Sequence, residues 1–197
     1  MLNATSGRPR WLVVPIATLA AVLTISTSAA NAAENVRFFE ETAEAFWQVP
    51  YQCADGSTVG ATLLVRSTRD FESPDTEDPD PTARVQFLAV CPDGTSFSWA
   101  APAAPATIIS TEDLKSVTAT GAGTARDILG GTHQVTFDVA WTGVGPVETT
   151  VNGPGSIRKQ RTATATGQVT FDGGVLVNGE ANHPTRPAPF IRIDIEL

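Results

Sequence analysis

Positive charge is in short supply in this sequence. Of 197 residues, 13 are Lys or Arg against 21 Asp or Glu, and the formal charge is −8. Lys115 and Lys159 are the only lysines. A chain this acidic has no broad field with which to grip nucleic acid or anionic lipid, because both are held by neutralising phosphates with Lys and Arg. Histidine is also scarce. His133 opens a strand-like run and His183 sits in Asn182-His183-Pro184 within a proline-rich loop. A zinc site needs three or four ligands at short spacings, and no H-x-x-x-H or Cys/His cluster occurs, so both histidines read as surface loop residues. There is no G-x-S-x-G elbow or other nucleophile motif. Nothing in the sequence selects a carboxylate pair for glycoside hydrolysis, and no cofactor signature is present.

Charge is missing altogether from residues 11–33. Arg8 and Arg10 precede a largely apolar run from Trp11 to Ile25, and small residues follow, including Ala30-Asn31-Ala32. A positive segment, an apolar segment and a small-x-small site in that order define a secretory signal peptide over residues 1–32, cut near Ala32. The apolar part is too short for a membrane anchor, which takes about 20 apolar residues, so no stable membrane insertion is expected after cleavage. Without residues 1–32 the chain has 165 residues, with 11 basic and 21 acidic side chains, a charge of −10. That length suits one secreted, extracellular domain. Frequent alanine and the preference for arginine over lysine resemble the usage of a GC-rich bacterium.

Cysteine is limited to Cys53 and Cys91. An even pair in an exported chain predicts a disulfide, and the surroundings agree. Cys53-Ala-Asp-Gly-Ser57 and Cys91-Pro-Asp-Gly-Thr95 are the same motif 38 residues apart, each between two strand-like runs. Asp-Gly there predicts a tight hairpin, because such turns need positive φ. Two equivalent hairpins side by side bring the two cysteines to equivalent strand ends.

Strand signals continue along the chain. Val59, Ala61, Leu63 and Val65 alternate after the first turn, and Phe97 and Trp99 after the second. Val135, Phe137, Val139 and Trp141 alternate, as do Ile191, Ile193, Ile195 and Leu197. Thr118-Ala-Thr-Gly and Thr164-Ala-Thr-Gly repeat as small-residue strands, and Gly121, Gly123 and Gly167 within them predict bends or close backbone approach. Residues 101–106, with Pro102 and Pro105, read as an extended connector. Residues 33–46 read as an N-terminal arm or short helix, because Phe39, Ala43 and Phe46 recur at helical spacing opposite Glu40, Glu41 and Glu44. Asp70 to Pro81 holds six acids and three prolines; it reads as a solvated loop, with calcium as an alternative reading because carboxylate oxygens suit that ion. The expected fold is therefore all-β, a single antiparallel barrel or sandwich of about nine or ten strands over residues 47–197.

Three tryptophans, Trp47, Trp99 and Trp141, lie in apolar registers. They are core residues or, where a barrel interior is hollow, the lining of a ligand pocket. Arg158-Lys159-Gln160-Arg161 is the one basic cluster, either solvated or a dock for an anionic polymer. The expectation is an extracellular binding module for a small ligand or protein partner, with an envelope structural protein and a secreted hydrolase as alternatives.

Overall fold

A computed structural model describes residues 38–72 and 81–196. The expected signal peptide, residues 1–32, and most of the acidic loop, residues 73–80, lie outside the described residues, and with them the calcium reading. The ten strands are β1 (Phe38–Gln52), β2 (Thr58–Glu72), β3 (Thr82–Val90), β4 (Ser96–Ser110), β5 (Ser116–Asp127), β6 (Thr132–Gly143), β7 (Glu148–Val151), β8 (Ser156–Phe171), β9 (Gly174–Glu180) and β10 (Phe190–Glu196). Each of β1 to β5 pairs antiparallel with the next, β6 pairs with β8, β8 with β10, and β10 returns to β1. The sheet is thus a closed barrel of eight strands rather than a sandwich. The two short strands β7 and β9 pair with β8 outside the ring. Closure leaves the eight ring strands no free edge.

The helix expected within residues 33–46 is absent where the chain is described: β1 already runs from Phe38. Phe39, Glu41, Ala43, Ala45, Trp47 and Val49 all belong to one strand face, and the last five are buried. An acid in the inward row hid this alternation. Glu41 is tolerated there because Arg69 on β2 meets it at 3.0 Å and also donates to the Ser110 hydroxyl. The expected connector at residues 101–106 is likewise part of β4, which bends there. The β4–β5 register breaks between Ala100 and Ala106, and the bend presses inward against Gly121 and Gly123. A Cβ on Gly123 would lie 2.6 Å from that of Ala104, and one on Gly121 would strike the Pro105 carbonyl and the Phe137 ring.

The two repeated motifs form superimposable turns. The Cys53 N–H donates to Ser57 O at 2.8 Å, and the Cys91 N–H to Thr95 O at 2.8 Å. Asp55 Oδ1 accepts from the backbone and hydroxyl of Ser57, as Asp93 Oδ1 does from Thr95. Gly56 and Gly94 both sit at φ +84°, which a side chain resists. These bonds hold both aspartate pKa values below 3.8, the neighbouring hydroxyl contributing most. The Cys53–Cys91 disulfide joins the two turns, with the Cα atoms 6.0 Å apart.

Side chains fill the barrel. Among the described residues Trp47, Trp99, Trp141, Phe87 and Phe137 are buried together with eleven alanines. Large residues opposite small ones are what an eight-stranded ring can accommodate, since its interior is only wide enough for side chains.

Candidate functional site

Inward residues build the barrel, so the outward rows of the same strands decide what its wall can bind. On β1 to β4 two such rows run side by side. In the first, Phe46 faces Leu64, Leu64 faces Gln86, and Gln86 faces Ala100. In the second, Thr62 faces Leu88 and Leu88 faces Ser98. Together they floor a groove of about 490 Å³, which Phe87 and Trp99 line from beneath. That volume lies within the range of small-molecule sites, roughly 300–1,000 Å³. Leu88 is 42% exposed, a large apolar side chain standing on an outer sheet face.

Both ends of the groove are walled. On one side the end of β5 brings up Arg126 and the β5–β6 turn Ile128; Arg126 is the register partner of Ala100, and the Ile128 N–H donates to Ser98 O at 3.1 Å. On the other, the segment between β9 and β10 crosses the outside of β1 and β2 as a strap. The Ala181 N–H donates to Ala165 O, the Ala163 N–H to Pro189 O, and Asn182 Oδ1 accepts from the Gln48 N–H. His183 Nε2 and Thr62 Oγ1 lie 2.9 Å apart. The Arg186 guanidinium stands 5.8 Å from the Phe46 ring centre, a cation–π distance. Burial and then the charge of Arg186 push the His183 pKa below 6.5, so the strap is held by a neutral imidazole at neutral pH.

The β5–β6 turn is anchored from inside the barrel mouth. Asp127 Oδ1 accepts from the Leu129 and Gly131 N–H groups at 2.8 and 2.7 Å. Its Oδ2 meets His133 Nε2 at 3.1 Å, while Asp172 Oδ2 meets His133 Nδ1 at 2.8 Å. With a carboxylate on each ring nitrogen the imidazole favours its charged form. The hydrogen bond to Asp172 and then that to Asp127 raise its pKa above 6.5, and the His133 bond lowers both aspartates below 3.8. The ring also stacks on Phe171 at 4.4 Å, Phe171 on Trp99 at 4.8 Å, and Trp99 on Phe87 at 5.7 Å. This trio has the members of a proton relay, but both imidazole nitrogens are occupied and, among the described residues, no nucleophile is bonded to it. Its geometry is that of a clamp on the turn that carries Ile128 and follows Arg126.

The residues expected to matter are distributed as follows. Cys53 and Cys91 staple the turns at the end of the barrel nearest the groove. Trp47, Trp99 and Trp141 are buried inside, at 2%, 4% and 0% exposure. Of these, Trp99 backs the groove and the Trp47 indole N–H donates to Gly179 O at 3.1 Å. His133 is the clamp and His183 the strap contact, so neither is a bare surface histidine. The basic cluster is split by strand alternation: Arg158 pairs with Asp194 at 2.6 Å, and Arg161 turns to Asp113 O. The groove residues Phe46, Leu64, Leu88, Arg126 and Arg186 were not foreseen. A signal for them exists, since Leu64 and Leu88 are apolar at polar-face positions of adjacent strands. Comparison with family models, with curated proteins and with solved structures finds no match for this chain.

Proposed function

We propose that this protein is an exported, disulfide-stapled β-barrel that binds a small molecule in the groove on the outer wall of β1–β4. The observation that carries the reading is the exposed Leu88 in an outward floor that also holds Phe46, Leu64 and Ala100, walled by the strap and the clamped turn. Soluble β-sheets ordinarily put polar residues on the outside, and an apolar patch rimmed by polar groups marks a binding site. The order of segments in residues 1–32 supports export, and a disulfide is stable in an oxidising compartment.

Two experiments test this. Amino-terminal sequencing of protein recovered from the culture medium is expected to begin at Ala33; full-length protein retained in a membrane fraction counts against export. Decanedioate, decanoate, decanediol and decanediamine, titrated while Trp emission and amide spectra are followed, test the groove. At least one is expected to bind saturably and to move amides of β2, β3 and β4, and Leu88→Asp is expected to abolish the effect. No saturable change with any of the four counts against the groove as a ligand site.

The apolar surface continues beyond the groove to Val90, 57% exposed, and Leu129, 84% exposed. This favours a second reading, a protein partner seated over the groove and its rim. It predicts that Leu129→Asp disrupts a complex while leaving the small probes bound.

A further inference from the structure

The groove has a direction, and its two ends carry the same charge. Its first row begins under Arg186, which sits over Phe46, continues through Leu64, Gln86 and Ala100, and ends on Arg126. Among the described residues neither arginine has an acid within ion-pair distance. That is unusual company in a chain of charge −8. Most of the other arginines near the closing strands are paired: Arg66 and Arg192 with Glu40, Arg69 with Glu41, Arg158 with Asp194. Among the described residues the only acid lining the groove, Asp127, is turned inward to His133 and to two backbone N–H groups. The remaining polar lining, Thr62, Gln86 and Ser98, is neutral. The groove is thus a largely apolar channel with a guanidinium at each end and, among the described residues, no free anion between them.

We infer that the ligand is an elongated apolar molecule with an acid group at each end, lying across β1–β4 with one anionic group on Arg186 and the other on Arg126. This rests on the groove being a ligand site. Guanidinium suits the role because its planar fork meets a carboxylate or phosphate with two parallel hydrogen bonds. Strand spacing sets the length. Arg126 stands one strand beyond β4 and Arg186 stands over β1, so about four spacings of 4.8 Å, roughly 19 Å along the wall, separate their anchor points. Arg126 lines the groove, and its side chain is long enough to shorten that span.

The four decane compounds separate the possibilities when they are titrated into the folded protein and into Arg126→Gln, Arg186→Gln and the double variant. Arg84→Gln, exposed on β3 outside the groove, serves as control. Decanedioate is expected to bind tighter than decanoate and decanoate tighter than decanediol, about fivefold per step, the upper range for ion pairs open to solvent. Each single variant is expected to bring decanedioate down to the decanoate level, and the double variant to the decanediol level. The preference is expected to fade at high salt, as screened charges require. Equal binding of all four compounds, unchanged in the arginine variants, overturns the diacid and leaves an apolar binding groove. Equal binding of decanoate and decanedioate, sensitive to one arginine only, overturns the two-ended ligand in favour of a single acid. Absence of binding by all four at about 1 mM, the weak end of specific affinity, overturns this inference and the groove together.

Discussion

His133 holds more together than any other single side chain near the groove, and its effect depends on pH in a defined way. Its pKa is raised in the folded state, so its stabilisation is full below 6.5 and fades as pH rises through the raised value. The partner aspartates are lowered, so their share is full above 3.8 and fades as pH falls through their lowered values. The clamp is therefore strongest between those limits. His133→Gln is expected to lower Tm more at about pH 5 than at about pH 8. A Tm difference that does not change with pH would reduce His133 to a stacking partner of Phe171. His183 runs the other way, because its lowered pKa makes protonation oppose the folded strap. Acidification below 6.5 is expected to lower the amide protection factors at residues 181–186, measured against the intrinsic exchange rate at each pH, and protection there that ignores pH would argue against a neutral His183 at Thr62. Gly121 decides a matter of packing. Gly121→Val sets a side chain against the Phe137 ring and the Pro105 carbonyl. A cost of about 2 kcal/mol is expected, in the range of overpacked cores, read from the denaturant midpoint.

Among the elements, the paired hairpins β1–β2 and β3–β4 carry both the staple and the groove floor. The disulfide spans 38 residues of chain, and loop-closure entropy puts its contribution at about 4 kcal/mol. The double variant Cys53→Ser, Cys91→Ser is expected to lose stability of that order in urea titrations; an unchanged midpoint would mean that the hairpins are held by β2–β3 pairing alone. These hairpins were the most legible part of the chain, because Cys-x-Asp-Gly-Ser/Thr contains its own turn chemistry: an aspartate to accept, a glycine for positive φ, a hydroxyl to donate. β1 was misread over residues 38–46 because its inward row contains Glu41, whose partner Arg69 lies on another strand. The proline-bearing part of β4 was misread because its bend is shaped by Gly121 and Gly123 on β5.

For the whole molecule, the filled interior and the outer groove separate stability from binding. Trp47, Trp99, Trp141 and their alanine neighbours hold the barrel closed, while Leu88, Arg126 and Arg186 stand outside that core. Leu88→Asp is expected to change stability by no more than about 0.5 kcal/mol, as for exposed positions generally, while abolishing the response to the decane probes. Loss of folding in Leu88→Asp would show that the groove floor belongs to the core.

Local order was present in the sequence by itself: strand alternation, the Asp-Gly turns, the cysteine pair in matching motifs, the acidic charge and the signal-like order of residues 1–32. Each depends on neighbours within a few positions, where periodicity and φ preferences act. Tertiary structure decided barrel against sandwich, because closure requires residues 38–44 to meet 190–196, and 156–162 to meet the same strand from its other edge. It also decided the site. The groove takes one or two outward residues from each of four strands, then adds an arginine from the end of a fifth and another from a strap. No local pattern brings Arg126 and Arg186 to opposite ends of one apolar row; the register of the closed sheet does.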